Sequence, residues 1–212
     1  MRVMTPLRGA YDMHIEFLVE ESSAEVVLQN MVPRILDAGV TYSIHPHQGK
    51  PDLLKKLPDR LRGYSRWIPD DWRIVVLLDA DEVDCHNLKA KLEDIASDAG
   101  LTSKSAVAPG SRFQVLNRLA VKELEAWFFG DVAAIHTAFP RIPLTLGSKA
   151  RYRNPDAIPG KTREVLQKML QKHGYSVGMS PIAVSRAISR YMDPRSNRSK
   201  SFQVFATGLQ KM

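Results

Sequence analysis

The 212-residue sequence has little that would suit an exported or membrane-spanning protein. It contains a single cysteine, Cys85, so it cannot form an internal disulfide, and this cysteine usage suits a reducing cytoplasm. No apolar run approaches the roughly 20 residues that cross a bilayer. The first residues also lack the apolar segment of a signal peptide. We therefore expect a cytoplasmic globular protein without a membrane partner.

Acidic residues are scarce in the last third of the chain. Residues 1–140 contain 16 Lys and Arg against 20 Asp and Glu, which gives a net charge of −4. Residues 141–212 contain 14 against 3, which gives +11. Such a basic region is typical of proteins that bind a polyanion. A solvated, helix-rich surface would carry the same charge, so composition alone leaves both interpretations open.

Apolar runs alternate with helical patterns through the first 140 residues. Four predicted strands are HIEFLV, TYSIHPH, IVVLL and RFQVLNRLAV, at 14–19, 41–47, 74–78 and 112–121. The third is continuous and β-branched, as expected of a strand that is covered on both faces. Strands that alternate with helices predict an α/β, Rossmann-like parallel sheet flanked by helices, and we assign this core to residues 13–140.

The pattern changes after residue 140. Residues 141–161 are rich in Pro, Gly and basic residues and predict a loop or linker. Helical patterns follow at 161–173, 181–192 and 199–211. We therefore predict a basic, mainly helical C-terminal extension over residues 141–212.

Acidic residues directly follow two of the predicted strands. Glu20 and Glu21 come after the first strand, and Asp79 and Asp81 come after the third, next to Glu82. Parallel sheets bind ligands beyond the carboxyl ends of their strands. Residues two apart in an extended chain project to the same side, and like charges held together need a cation or a proton between them. The pattern favours Mg²⁺, although a turn with a helix cap would give the same D-x-D motif.

The segments FLVEESSAE and VVLLDAD together resemble the Toprim domain of topoisomerases, primases and overcoming-lysogenization-defect-type nucleases. The resemblance implies an acidic centre that binds Mg²⁺, or Mn²⁺ in its place. Glu20 matches the family's glutamate, and Asp79 and Asp81 match its Asp-x-Asp motif. The family usually has glycine where this chain has Glu21, and an additional acid there could serve a metal.

Further segments are similar to a Toprim-like family of uncharacterised bacterial proteins that are often encoded beside AAA-type ATPases. They are LVEESSAE, GKPDLLKKLP, VVLLDADEVDC, AVKELEAWFFGD, NPDAIPGK and NRSKSF. Together they cover most of the chain from 14 to 205. The resemblance implies an AAA-type ATPase as a partner.

Two further acids lie in the segment KELEAWFFGD. Glu123 and Glu125 would be about 200° apart on a regular helix, so at most one of them could join the acidic centre. We choose Glu125 as a metal ligand, because its helical neighbours Val121 and Phe128 are apolar and an acid beside them needs a reason. A salt bridge at the rim of the core is the open alternative.

Several basic residues lie where they could contact a phosphate backbone, which positions a nucleic acid without reading its sequence. They are Lys50, Lys149, Arg151, Arg153, Arg195, Arg198 and Lys200. The histidines lack the spacing of a zinc site, so we expect them to be ordinary hydrogen-bonded residues.

These observations predict a Mg²⁺-dependent enzyme of phosphoryl transfer on nucleic acid, a nuclease, with DNA favoured over RNA. Glu20, Asp79 and Asp81 would be catalytic, with Glu20 as general acid or base. Asp79, Asp81 and Glu125 would bind the metal.

Two other functions fit the sequence. The chain could be a non-catalytic Toprim-fold subunit that docks on an ATPase or regulates it. The segment LLDADEV also matches the D-x-D-x-V signature of haloacid dehalogenase phosphatases, with Asp79 as nucleophile and Asp81 as acid. That signature normally ends the first strand, whereas here it ends the third.

Overall fold

The computed structural model describes residues 13–81, 84–176 and 178–212, so Glu82 lies outside the described residues. The four strands are β1 His14–Val19, β2 Thr41–Pro46, β3 Trp72–Asp79 and β4 Val115–Ala120. They form one parallel sheet in the order β2-β1-β3-β4. The predicted α/β, Rossmann-like fold is confirmed.

Helices connect the strands and continue beyond the sheet. They are α1 Ser22–Ile35, α2 Lys50–Ser65, α3 Cys85–Asp98, α4 Glu125–Gly130, α5 Val132–Ala138, α6 Thr162–Lys172, α7 Pro181–Ser189 and α8 Lys200–Leu209. Asp84 is the N-cap of helix α3, because its carboxylate accepts a hydrogen bond from the His86 N–H at 2.9 Å. Among the described residues, no helix is long and apolar enough to cross a membrane.

Segment 141–161, predicted as a loop, contains short 3-10 turns. These turns are Leu144–Ser148, Ala150–Tyr152 and Pro155–Ala157. Each is too short to form a core of its own, but Leu146 and Ile158 are buried in the main apolar cluster. The segment therefore packs on the core and does not run free of it.

The two faces of the sheet are covered by different helices. Phe17 of β1 and Val75 of β3 face a cluster that includes α1 and helices α4 to α8. Leu18 and Val76, one position along each strand, face a second cluster with α2 and α3. Both faces are buried, which explains the unalternating apolar run of β3. The basic C-terminal helices share one apolar cluster with the sheet.

One carboxylate is buried on the face covered by α2. Glu16 is 7% exposed, and it accepts hydrogen bonds from the Tyr64 hydroxyl at 3.1 Å and the His14 ring at 3.1 Å. The His45 ring makes a third contact. Burial, together with the nearby Glu16 carboxylate, raises the pKa of Tyr64 to about 12. The Glu16 carboxylate thus provides a hydrogen-bond partner for the buried Tyr64 hydroxyl. His45 is hydrogen-bonded, as the sequence predicts.

Replacing Glu16 with alanine should lower the free energy of unfolding by about 2 kcal/mol, because it leaves the buried Tyr64 hydroxyl without its partner. Urea denaturation measures the change. Asp59→Ala is the control, since Asp59 is an exposed acid on α2 whose side chain is 84% accessible. Equal stabilities of the two variants would show that the buried contact contributes little.

Candidate active site

Glu20 and Asp79 meet at the carboxyl edge of the sheet. Strands β1 and β3 are neighbours, with Val19 level with Leu77. Glu20 follows β1, and its carboxylate accepts a hydrogen bond from the Asp79 backbone N–H at 3.2 Å. The parallel register therefore brings together two acids that are 59 residues apart in the sequence.

Asp81 joins this edge by a different route from the one the sequence predicts. It does not continue the extended strand, because its φ is +53°. Its N–H donates to the Lys122 carbonyl at 2.5 Å, and Lys122 also has a positive φ, of +64°. Within the described ranges, these are the two non-glycine residues in this strained region of backbone space. The expected projection of Asp79 and Asp81 from one extended strand is thus wrong.

The Asp81 carboxylate forms an ion pair with the Lys50 ammonium. Lys50 is the first residue of α2, which follows β2, and the chain enters this helix through Gly49 at φ +91°. The Lys50 side chain is 15% exposed. The sequence predicts Lys50 as a phosphate contact, and the structure places it among the carboxylates.

Arg163, at the start of α6, connects two further acids. Its guanidinium forms ion pairs with Glu21 and, at 3.1 Å, with Glu125 Oε1. Although burial acts to lower its pKa, the carboxylates of Glu125 and Glu21 raise the pKa of Arg163 above its usual range. Glu21 is therefore an ion-pair partner of the C-terminal segment.

Glu123 and Glu125 both contact Arg163, Glu123 through the backbone N–H and Glu125 through the guanidinium. The expectation that at most one of them joins the acidic centre stays a prediction. The expectation assumed a regular helix through both positions, but α4 begins at Glu125. Glu123 accepts hydrogen bonds from the Thr162 hydroxyl at 3.0 Å and the Arg163 N–H at 2.8 Å. Glu123 thus caps the N-terminus of α6, where an anion is favourable.

Burial and like charge act together on the acids of this edge. Desolvation, followed by the nearby Glu125, Glu20 and Asp81 carboxylates, raises the pKa of Asp79 well above its ordinary value. Burial also raises the pKa of Glu20, against the opposing effects of the Asp79 N–H and Lys50. Burial raises the pKa of Glu125, and Arg163 opposes this shift. The edge concentrates negative charge that the protein neutralises only in part.

The ligand set fits a hard divalent cation. Every candidate ligand is a carboxylate, and Mg²⁺ needs one or two of them and retains water. Glu125 is 2% exposed, and its Oε2 atom has no hydrogen-bond partner among the described residues. A buried carboxylate oxygen without a partner is costly, and a cation would satisfy it. The carboxylates of Asp79, Asp81 and Glu125 therefore suit a metal.

These acids do not form a closely packed cage. In the part of the chain that the structure describes, one group of three potential ligands has all its ligand atoms within 4.8 Å of one another: Asp84, Cys85 and His86. That group lies at the exposed start of α3, where Asp84 already serves as the N-cap. At the sheet edge, the Asp81 carboxylate is paired with Lys50.

The other basic residues predicted to bind nucleic acid are spread over the C-terminal segment. Lys149, Arg151 and Arg153 are exposed around the 3-10 turns, and Arg195 pairs with Asp193 at 3.2 Å. Their side chains are accessible to a ligand. The remaining two predicted residues are also exposed: Arg198, which contacts the Gly147 carbonyl at 3.4 Å, and Lys200, which begins α8.

Arg163 is the residue of this site that sequence reasoning missed. It lies 142 residues from Glu21 in the sequence and belongs to no motif. Its local signal is the TRE start of α6, which indicates a helix terminus and nothing about an acidic partner. Only the packing of α6 against α4 brings it to the edge.

A four-stranded parallel sheet flanked by helices places the chain in the class of α/β proteins with a Rossmann-like fold. Within that class, the chain belongs to the family described as "Domain of unknown function (DUF4276)", which matches residues 19–210. No curated protein and no solved structure matches the chain.

Asp79→Asn should remove a pH dependence of stability. Because the folded pKa of Asp79 lies above its ordinary value of 3.8, the protonated group stabilises the fold at low pH. This contribution is lost as pH rises through the folded pKa. The variant should lack this decline in stability with rising pH. At neutral pH it should melt at a higher temperature than the wild type, as measured by circular dichroism.

The same variant tests the metal. Mg²⁺ or Mn²⁺ should raise the melting temperature of the wild type by mass action, and the increase should disappear in Asp79→Asn. Asp59→Asn, on the exposed face of α2, should respond as the wild type does. An undiminished metal response in Asp79→Asn would place the ion at another site.

Arg163→Ala should destabilise the protein by about 2 kcal/mol, because it leaves the buried Glu125 carboxylate without its cation. Adding Glu125→Gln to this variant should restore part of the loss, since the amide needs no counter-charge. A double-mutant cycle from urea denaturation measures the coupling. Additive effects would mean that the ion pair contributes nothing beyond its separate parts.

Proposed function

We propose that the protein is a divalent-metal-dependent enzyme of phosphoryl transfer on nucleic acid, acting as a nuclease in the cytoplasm. The observation that carries the proposal is the gathering of Glu20, Asp79, Asp81 and Glu125 at the ligand-binding edge of a parallel sheet. Their repulsion and the unpartnered Glu125 oxygen support binding of a cation. The Toprim resemblance of the same residues supports DNA over RNA.

Asp79, Asp81 and Glu125 would bind the metal, Mg²⁺ or Mn²⁺. Bound there, it would polarise a phosphate group and stabilise the charge that develops on it. Lys50 already neutralises Asp81, so a metal at Asp81 would compete with it. Displaced from Asp81, the Lys50 ammonium would still lie at this edge and could donate to a substrate phosphate.

Glu20 would carry the proton. It lies next to the backbone of Asp79, and no ion pair within 4.0 Å involves it in the described part of the chain. A general acid or base has to reach the moving proton directly or through one water. Asp81, in contrast, is engaged by Lys50. Glu20 is thus the acid of this edge best suited to proton transfer.

A non-catalytic subunit that docks on an AAA-type ATPase is the second candidate. It is favoured by the ion pairs that occupy this edge, since Lys50 binds Asp81 and Arg163 binds Glu21 and Glu125. Such pairs would suffice for a purely structural role. A haloacid dehalogenase mechanism has less support, because its D-x-D-x-V signature normally ends the first strand and here it ends β3.

Glu20→Gln should lower Mg²⁺-dependent cleavage of DNA on the order of a hundredfold or more, since general acid–base catalysis contributes this much. Gel electrophoresis of labelled single-stranded and duplex DNA measures the rate. Binding in EDTA should be nearly unchanged, because glutamine removes a proton carrier and little phosphate affinity. Asp59→Asn is the control and should cut as the wild type does.

Equal cutting by Glu20→Gln and the wild type would show that the site is misassigned. A wild type that neither binds nor cuts DNA or RNA, and that co-purifies with an ATPase, would establish the docking function instead.

A further inference from the structure

A second charged feature lies along α8, beside the edge strand β4. Four basic side chains, Lys104, Arg118, Lys200 and Lys211, line one cleft of about 310 Å³. We call it the basic cleft. Among the described residues, those that line it include no acid. Two of the four residues, Lys104 and Arg118, come from the part of the chain whose net charge is negative, so the cleft is not simply a product of the basic C-terminal composition.

The charges of the basic cleft are not balanced within the fold. For residues 13–81, 84–176 and 178–212, none of the four cations has a carboxylate partner within 4.0 Å. Burial, and then the charges of Arg118 and Lys211, lower the pKa of Lys104. Two acids lie close to these residues: Asp156 accepts a hydrogen bond from the Lys200 backbone N–H at 2.6 Å, and Glu93 pairs with Lys89. Like charges collected in this way are unfavourable unless an anion binds between them.

Arg118 is held in place by backbone groups. Its Nε donates to the Val204 carbonyl at 3.2 Å, and its Nη1 donates to the Asn117 carbonyl at 2.9 Å. Gly208 of α8 admits the guanidinium, since a Cβ at this position would lie 2.8 Å from Arg118 Nη2. A guanidinium that is fixed by carbonyls and has no carboxylate partner is preorganised to bind a phosphate.

The basic cleft and the acidic edge are connected through α4. Helix α4 begins with Glu125, and its Trp127 Nε1 donates to the Ser201 hydroxyl of α8 at 2.9 Å. Lys200 therefore lies at the end of α8 nearest to α4. From there, α8 runs to Leu209 with a helical rise of roughly 14 Å. Lys211 follows two residues beyond the end of the helix, so the cations are spread along the cleft.

We propose that the basic cleft binds the sugar-phosphate backbone of a nucleic acid and directs it toward the acidic edge. The choice of a nucleic acid as the polyanion rests on the proposed function. The positions of the four cations do not rest on it, because the fold sets them. Lys104 begins a 3-10 turn, Arg118 is on β4, Lys200 begins α8, and Lys211 follows that helix. Phosphate contacts of this kind supply affinity and register without reading sequence.

The test compares two double variants. The cleft pair, Lys104→Gln with Lys211→Gln, removes two charges from the basic cleft. The control pair, Lys55→Gln with Lys91→Gln, removes two charges elsewhere. Lys55 and Lys91 are exposed lysines outside the basic cleft, so the control removes the same charge. Binding of a fluorescent DNA duplex is measured by anisotropy in EDTA, over a range of salt concentrations. Each lost phosphate contact lowers the slope of log K against log salt by about 0.9. We expect a decrease of about 1.8 for the cleft pair and no change for the control.

The cleft pair should also melt close to the wild-type temperature at low salt, because the relief of repulsion offsets the loss of the contact between the Lys104 ammonium and the Phe113 ring. This result separates lost binding from lost folding. An unchanged salt slope in the cleft pair, or an equal decrease in both pairs, overturns the proposal.

The same experiments distinguish failure of the nuclease proposal from failure of the basic-cleft proposal. If DNA binds through the basic cleft but is not cut in Mg²⁺, the inference stands and the nuclease proposal fails. If the wild type cuts DNA and the cleft pair binds DNA as the wild type does, the nuclease proposal stands and the basic-cleft inference fails.

Discussion

Repulsion between carboxylates at the carboxyl edge of the sheet is the constraint on which this structure depends. Asp79 and Glu20 are brought together by the register of two neighbouring strands, and Glu125 is buried beside them. Burial raises the free energy of each charged form, and the neighbouring charges raise it further. Two cations offset this cost. Lys50 comes from the start of α2, and Arg163 comes from the start of α6.

The need for Arg163 makes the C-terminal segment part of the site. Glu123 caps α6, and this contact fixes the position at which the guanidinium emerges. Packing then stabilises the arrangement, because α7 lies on α1 and Asn30 donates to the Ser189 hydroxyl at 2.9 Å. The helices beyond residue 140 and the sheet share one apolar cluster. The acidic edge would lose a counter-charge if these helices were removed.

Sequence reasoning succeeds where a local pattern determines the outcome. The unalternating run before Asp79 identifies the buried strand, and the parallel-sheet rule places Glu20 on the same edge. Sequence reasoning fails where a contact between distant segments determines the local structure. The left-handed turn at Asp81 is stabilised by the Lys122 carbonyl beyond the end of β4, and no property of the D-x-D motif signals that bond. Sequence reasoning misses Arg163 for the same reason, since its acidic partners are Glu21, at the N-cap of α1, and Glu125 of α4.

The charges of the molecule are separated in space as well as along the chain. An acidic edge alone repels a phosphate, so a nucleic acid can approach it only if attraction elsewhere exceeds that repulsion. The basic cleft along α8 concentrates positive charge, and its cations repel one another unless an anion binds between them. Phosphates in the cleft and a divalent cation at the edge would relieve both at once. Each ligand would lower the electrostatic cost of the other, and their binding would be coupled even without a change of conformation.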